Sequence, residues 1–220
     1  MGEYGISQPV PRTEDPRLLK GAGRFIDDIK LLGMVHGHVL RSPHAHAIIK
    51  SIDTSAAKAA PGVLDVLTGE DYKAAGLGNM PPPMPPVKNS EGVKAFGTPR
   101  GALITGKVRF VGDLVAFVVA ETPAQARDGA ELIDVDYEPI PSNTNTGGAR
   151  GEATPAIWEE RPDNLCLIHE EGDKAATDAA FVKADYIHRQ HFQINRVLAN
   201  TMEPRGCVAD YDAKEDFCTV

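Results

Sequence analysis

Apolar and polar positions along the chain change period several times, and each change marks an element. Residues 34–41 carry a strand signal that breaks at Ser42-Pro43, and a second strand is predicted over about 46–52. Asp53 or Thr54 is placed to cap a short alanine-rich helix stopped by Pro61-Gly62, after which Val63, Leu64, Val66 and Leu67 mark the next strand. The first 30 residues are polar and turn-rich, with Pro9, Pro11 and Pro16, then Lys20-Gly21-Ala22-Gly23-Arg24 and Asp27-Asp28, and predict an extended arm.

The regular pattern lapses over 76–101, where Pro81, Pro82, Pro83, Pro85 and Pro86 favour an extended polyproline path that cannot donate to a sheet ladder. A second β-α-β signal follows. Residues 114–119 are an apolar run, and Ile133, Val135 and Tyr137 alternate with Asp134 and Asp136. The helix between them has a defined start: Thr122 as cap, Pro123 at the first helical position, and Gln125 three after the cap to close a capping box. Ala126, Ala130 and Ile133 fall on one face, small enough to let the helix lie close on a sheet.

From Pro139 to Gly148 the chain is dense in breakers, which predicts a domain boundary within 143–155. Beyond it the pattern predicts a helix over 174–183 and a strand over 186–197. A hairpin follows, in which Cys207, Ala209 and Tyr211 alternate with Val208 and Asp210, a turn occupies 212–215 and a returning strand spans 217–220. In one register Cys207 faces Cys218, so a cross-strand disulfide is geometrically conceivable.

Composition narrows the function classes. The 220 residues are 42% hydrophobic and 25% charged, ordinary for a globular chain. Lys plus Arg number 23 against 31 Asp plus Glu, and the resulting net charge of -8 repels phosphate backbones, arguing against a nucleic-acid partner. No stretch approaches a bilayer span, and the N-terminus has neither a basic nor an apolar leader region, so a cytoplasmic location is expected. Cys166, Cys207 and Cys218 form no C-x-x-C pair and are expected as small buried thiols, reduced in such a compartment.

Candidate chemistry is sparse. His36-x-His38 and His44-x-His46 each put two imidazoles on one strand face, but no Cys or acidic residue accompanies them to complete a metal site. Gly21-Ala22-Gly23 beside Lys20 and Arg24, and Gly147-Gly148-Ala149-Arg150-Gly151, have the flexibility of phosphate loops without the spacing of a P-loop or dinucleotide fingerprint, and read as turns. No G-x-S-x-G elbow occurs. Glu203 and Arg205 bracket Pro204 in a loop of opposite charges, which suits either a functional loop or a salt-bridged turn.

Three longer blocks carry a resemblance. Residues 12–28, R-T-E-D-P-R-L-L-K-G-A-G-R-F-I-D-D, with 41–53, R-S-P-H-A-H-A-I-I-K-S-I-D, resemble the start of molybdenum-binding large subunits of the xanthine dehydrogenase and aldehyde oxidase family, in the style of its carbon monoxide dehydrogenase branch. Residues 107–141, from K-V-R-F-V-G-D to Y-E-P-I-P, are similar to the family's second block, and 195–212, N-R-V-L-A-N-T-M-E-P-R-G-C-V-A-D-Y-D, to a third.

The resemblance implies an α+β chain: an extended arm over 1–19, an α/β hammerhead domain over 20–143, a linker over 144–154, and over 155–220 the incomplete start of a molybdopterin-binding α/β domain. It implies a large subunit that hydroxylates an aldehyde or N-heterocycle, or oxidises carbon monoxide, with oxygen taken from water. A molybdenum-molybdopterin cytosine dinucleotide serves the complete enzyme, with FAD on a medium subunit and 2Fe-2S clusters on a small subunit as partners. The family's cofactor-contacting glutamine, G-G-F-G loop and glutamate base are expected downstream of Val220. No catalytic, cofactor-binding or metal-binding residue is therefore assigned within the chain, and these residues alone are expected to be inactive. The alternative is a stand-alone, non-catalytic hammerhead module for subunit binding or assembly.

Overall fold

The apolar run at 114–119 organises everything around it. In the computed structural model, which describes residues 5, 10–80, 92, 94–195 and 197–220, the chain forms in order α1 (Asp15–Leu18), a 3-10 turn (Ile26–Asp28), β1 (His36–Arg41), β2 (Ala47–Asp53), α2 (Ser55–Lys58), β3 (Val63–Thr68), α3 (Gly69–Ala74), β4 (Lys107–Val108), β5 (Leu114–Ala120), α4 (Pro123–Glu131), β6 (Asp134–Pro139), α5 (Lys174–Lys183), β7 (Asp210–Asp212) and β8 (Phe217–Thr219). The polyproline segment expected over 81–86 lies outside the described residues. Two compact units divide the chain, Val35–Ile187 and the pair of segments Met1–Met34 with His188–Val220.

Within Val35–Ile187, β5 is the centre of a three-stranded sheet ordered β1-β5-β3, and β2 is the centre of a second ordered β4-β2-β6. Every ladder is antiparallel. The mixed α+β class matches expectation, and the β-α-β order is present, but the strands flanking each helix belong to different sheets. β1 and β3 occupy both edges of β5, so the chain leaving α4 has no free neighbour there and enters the second sheet as β6. The four-residue α2 is too short for a parallel crossover, which needs a dozen or more residues.

A strand covered on both faces has no reason to alternate, which is why β5 reads as unbroken apolar sequence. Ala116 and Val118 pack with Ala57, Val66, Ala130 and Ile133, whereas Val115 packs with Ala47 and Val108. Leu40, Ile52 and Val135 border both clusters and join them into one core.

Helix α4 lies on β1, β5 and β3. Its Thr122 hydroxyl accepts from the Gln125 N–H at 3.3 Å, and Pro123 stands in the first turn, as the sequence indicates. The Gln125 side chain does not return to the cap backbone; its Oε1 accepts from the Thr122 hydroxyl at 2.8 Å while its amide lies across Gly62. Close approach of helix to sheet depends on Gly129, where an added Cβ would stand 2.8 Å from Val63 Cγ2 and 3.2 Å from Val118 Cγ1.

Helix α3 adds to the elements that the sequence pattern predicts, although Thr68-x-x-Asp71 is a capping box written in the sequence. The Asp71 carboxylate accepts from the Thr68 N–H at 2.7 Å and from its hydroxyl at 2.6 Å, and these two bonds hold the Asp71 carboxyl below its ordinary value.

In the second unit the arm is not fully extended. Asp15 and Pro16 start α1, and Arg12 pairs with Asp15 at 3.3 Å. Gly21, at φ +68°, ends it in a Schellman arrangement, donating to Leu18 O at 3.1 Å while Ala22 donates to Arg17 O at 3.0 Å. The hairpin β7-β8 forms, but the strand expected over 186–197 does not appear among the described residues, and Tyr186, Phe192, Ile194 and Val197 are exposed. Its register pairs Tyr211 with Cys218, which leaves Cys207 upstream of the ladder and removes the proposed disulfide geometry. All three cysteines are free and exposed, contrary to the buried positions expected.

Gly129→Ala gains about 1 kcal/mol of intrinsic helix propensity, yet its Cβ has no room. The substitution is expected to destabilise the fold by about 1–2 kcal/mol in urea titration, while Asp128→Ala on the exposed face of the same helix is neutral or stabilising. A stabilised Gly129→Ala protein would show that α4 does not sit this close to the sheet.

Candidate functional site

The four histidines singled out by the sequence divide between the sheets, His36 and His38 on β1 of the first and His44 and His46 in the segment leading into β2 of the second. His36 and His38 share one face of β1, half-buried. His44 lies against the Tyr137 ring at 4.9 Å, and the buried His46 shares a 2.8 Å hydrogen bond from Nδ1 with Pro141 O. Among the described residues no three His, Cys, Asp or Glu side chains approach closely enough to hold a metal.

The R-S-P-H-A-H segment has a positional role that the sequence did not reveal. Ser42 N donates to Asp113 O at 2.9 Å, Gly112 N donates back to Ser42 O at 2.8 Å, and the Ser42 hydroxyl donates to His44 O and accepts from His44 N. Burial pushes the Tyr137 hydroxyl up, ahead of the Ser42 hydrogen bond that pulls it down and the Asp113 carboxylate that pushes it further up. The hydroxyl therefore remains neutral near pH 7.

A groove of about 520 Å³ opens beside this network, lined among others by Met80, Arg100, Ile104, Arg109, Phe110 and Trp158. The Arg109 guanidinium lies 3.8 Å above the Trp158 ring, with Nε donating to Ile157 O at 3.2 Å and Nη1 to Lys107 O at 3.4 Å. Buried Asp113 accepts from the Arg109 and Leu114 N–H groups. Trp158 meets Phe96 edge-on at 5.9 Å. Arg109 thus tethers the irregular segment after β6, while the Asp113 carboxylate holds the 109–114 backbone. Asn164, at φ +54°, completes the tether, its amide donating to Ala149 O and Pro155 O while its carbonyl accepts from Ile157 N.

Neither glycine loop gathers N–H groups toward an anion. Gly21 closes α1, and at Gly148 the carbonyl accepts from the Thr154 hydroxyl and from Gly151 N. Glu203 does not pair with Arg205; its Oε1 accepts from Ile26 N at 3.0 Å, so the salt-bridged turn is replaced by a hydrogen bond to a segment 177 residues away. The signal that would have found the Arg109–Trp158 tether, a lone Trp downstream of a basic strand end, is too common to single out.

Trp158→Ala removes both the guanidinium stack and the Phe96 contact and is expected to cost about 1–2 kcal/mol, with faster proteolytic cleavage between 149 and 166. Unchanged cleavage would show the segment is held otherwise. Lys107 hydrogen-bonds the Glu159 carboxylate and holds it below its ordinary 4.5. A depressed folded value means that the stabilisation is present above about pH 4.5 and lost as pH falls through the lowered value. Glu159→Gln should thus melt slightly below the parent at pH 7, the difference being small because the pair is exposed and vanishing in acid.

Comparison with known proteins places these features. Residues 20–141 match the family described as aldehyde oxidase and xanthine dehydrogenase, a/b hammerhead domain, and residues 157–220 match the molybdopterin cofactor-binding domain. The carbon monoxide dehydrogenase large chain of Afipia carboxidovorans is 39% identical over 94% of this chain and 26% of its own length. The nicotine 6-hydroxylase large subunit of Paenarthrobacter nicotinovorans is 38% identical over 96% of this chain and 25% of its own. A crystal structure of a Cu,Mo carbon monoxide dehydrogenase in its carbon monoxide reduced state superposes with a TM-score of 0.65 at 39% identity, covering 83% of this chain and 23% of that one. The chain thus spans about a quarter of the length of these relatives, and it belongs to the aldehyde oxidase and xanthine dehydrogenase family.

Proposed function

We propose that these residues are the N-terminal part of the large, molybdopterin-binding subunit of a molybdenum hydroxylase, and that they have no turnover without the remainder of that subunit. The observation that carries this reading is the state of the region matched to the cofactor-binding domain. Among the described residues from 169 to 220, none is buried and only Val208 is even half-covered. Phe181, Phe192, Ile194, Val197, Leu198 and Phe217 all lie more than half exposed. Exposed apolar surface on that scale marks an interaction face, and the further polypeptide of a large subunit would cover it.

The same observation limits what the region can hold. A pterin-bound metal needs an enclosed set of donors, whereas no described residue from 169 to 220 is buried and the described residues hold no cluster of three or more His, Cys, Asp or Glu suited to a metal. The residues present do not by themselves fit the cofactor, and no chemical step is assigned to them.

The reading extends to substrate class and partners. An aldehyde, an N-heterocycle or carbon monoxide would be oxidised with water as oxygen source at a molybdenum-molybdopterin cytosine dinucleotide, and electrons would leave through 2Fe-2S clusters on a small subunit to FAD on a medium one. The names of the similar large chains support this division. The spans of the two family matches support a hammerhead over 20–143 and a cofactor domain beginning near 155. Among the described residues no helix is long and apolar enough to cross a membrane; a cytoplasmic site is part of the proposal.

The test compares the purified 220-residue chain with the assembled enzyme containing the complete large subunit and both partner subunits. The chain alone is expected to contain no stoichiometric molybdenum and to reduce no artificial electron acceptor with carbon monoxide, aldehydes or N-heterocycles, whereas the assembly does both. Turnover by the chain alone would overturn the proposal. An assembled enzyme without molybdenum would favour the stand-alone hammerhead module.

A further inference from the structure

The unit composed of Met1–Met34 and His188–Val220 brings together two segments from opposite ends of the chain. The first, G-R-F-I-D-D, lies within the region matched to the hammerhead domain, and the second, N-T-M-E-P-R-G, within the region matched to the cofactor-binding domain. Between them runs a groove of about 430 Å³, lined by Phe25, Ile26 and Asp28 on one side and Met202, Glu203 and Arg205 on the other.

One directed polar contact crosses it. The first N–H groups of a helical turn have no partner within the turn. In the turn Ile26–Asp28 the Phe25 N–H is taken locally by the Asp28 carboxylate at 3.0 Å, and the next one, on Ile26, is taken by Glu203 Oε1 at 3.0 Å from 177 residues away. The other side of the contact is also shaped for the meeting. Thr201 Oγ1 donates to Glu203 O at 2.6 Å and folds the loop back on itself, and a Cβ at Gly206 would come within 3.5 Å of Ile26 Cγ2, so the loop backbone passes directly over that side chain. Arg205, the nearest cation in sequence, makes no ion pair with Glu203, which leaves the carboxylate committed to the turn.

We propose that Glu203 is a positioning residue: it caps the Ile26–Asp28 turn from a distance and thereby fixes the 200–206 loop of the cofactor-binding region on the amino-terminal edge of the hammerhead sequence. A hydrogen bond from a backbone N–H to a carboxylate is charge-assisted and directional, so it sets the loop's position where the flanking apolar contacts set only its proximity. The amino-terminal segment is then a structural component of the cofactor-binding region, and its loss frees the loop even where the hammerhead core is intact. This inference concerns the chain itself and holds whether or not the assembled enzyme carries molybdenum.

The test follows the Ile26 amide by NMR hydrogen exchange in the full 220-residue chain, in wild type, Glu203→Gln and Glu203→Ala. Gln keeps an oxygen acceptor at the same reach, whereas Ala removes it. Wild-type Ile26 is expected to exchange at least about tenfold more slowly than an unstructured amide, Glu203→Gln to retain most of that protection, and Glu203→Ala to lose it. The unfolding midpoint of the hammerhead core should stay the same in all three, since Ile26 and Glu203 both belong to the other compact unit. An Ile26 amide unprotected in wild type, or protected equally in Glu203→Ala, would overturn the proposal. Deletion of residues 1–24 is the second arm: it should leave the bond in place, whereas deletion through residue 28 should release the 200–206 loop, and a loop unaffected by the longer deletion would also overturn it.

Discussion

Cover on both faces of a single strand is the constraint on which the folded unit Val35–Ile187 depends. β5 is apolar at nearly every position because α4 lies on one side and the second sheet's core on the other, and each covering element is then bound by what β5 needs. The helix must come close, so it presents Ala126, Gly129 and Ala130. The strand after it must leave the sheet, because both edges of β5 are filled. The second sheet must supply small and branched apolar residues, as Ala47 and Val108 do. With Leu40, Ile52 and Val135 shared between the two clusters, neither sheet can be removed without exposing the other.

Local chemistry made much of this legible beforehand. The α4 start is specified by Thr122 and Pro123, and α5 forms over Lys174–Lys183 with Asp173 as its cap, because these signals act within a few residues. Pairing was not legible. Alternation at 133–137 identifies a strand but carries no information on its partner, and only the occupancy of β5's edges decides that β6 joins β2. The segment 186–197 shows the converse failure: its apolar residues suit a strand, and without a neighbouring ladder among the described residues their backbone propensity is insufficient.

The candidate site divides along the same line. The histidine pairs are present where the sequence puts them, but the contacts that matter, Ser42 with Asp113 and Arg109 over Trp158, join residues tens of positions apart. Glu203 stood out in the sequence for its charge, and its partner turned out to be a backbone N–H rather than Arg205. The blocks that match the hammerhead family build the packed core, whereas in the region matched to the cofactor-binding domain the apolar side chains Phe192, Ile194, Val197, Leu198 and Phe217 face outward.

The central claim is that one unit owns a complete core and the cofactor-binding region does not. Native-state hydrogen exchange across the isolated chain measures this most directly, by comparing the backbone amides of Leu114–Ala120 with those of Asp210–Asp212 and Phe217–Thr219. The account predicts that β5 exchanges only through global unfolding, while β7 and β8 exchange orders of magnitude faster through local opening. Equal protection in the two regions would contradict it, because the terminal region would then be a finished unit in its own right.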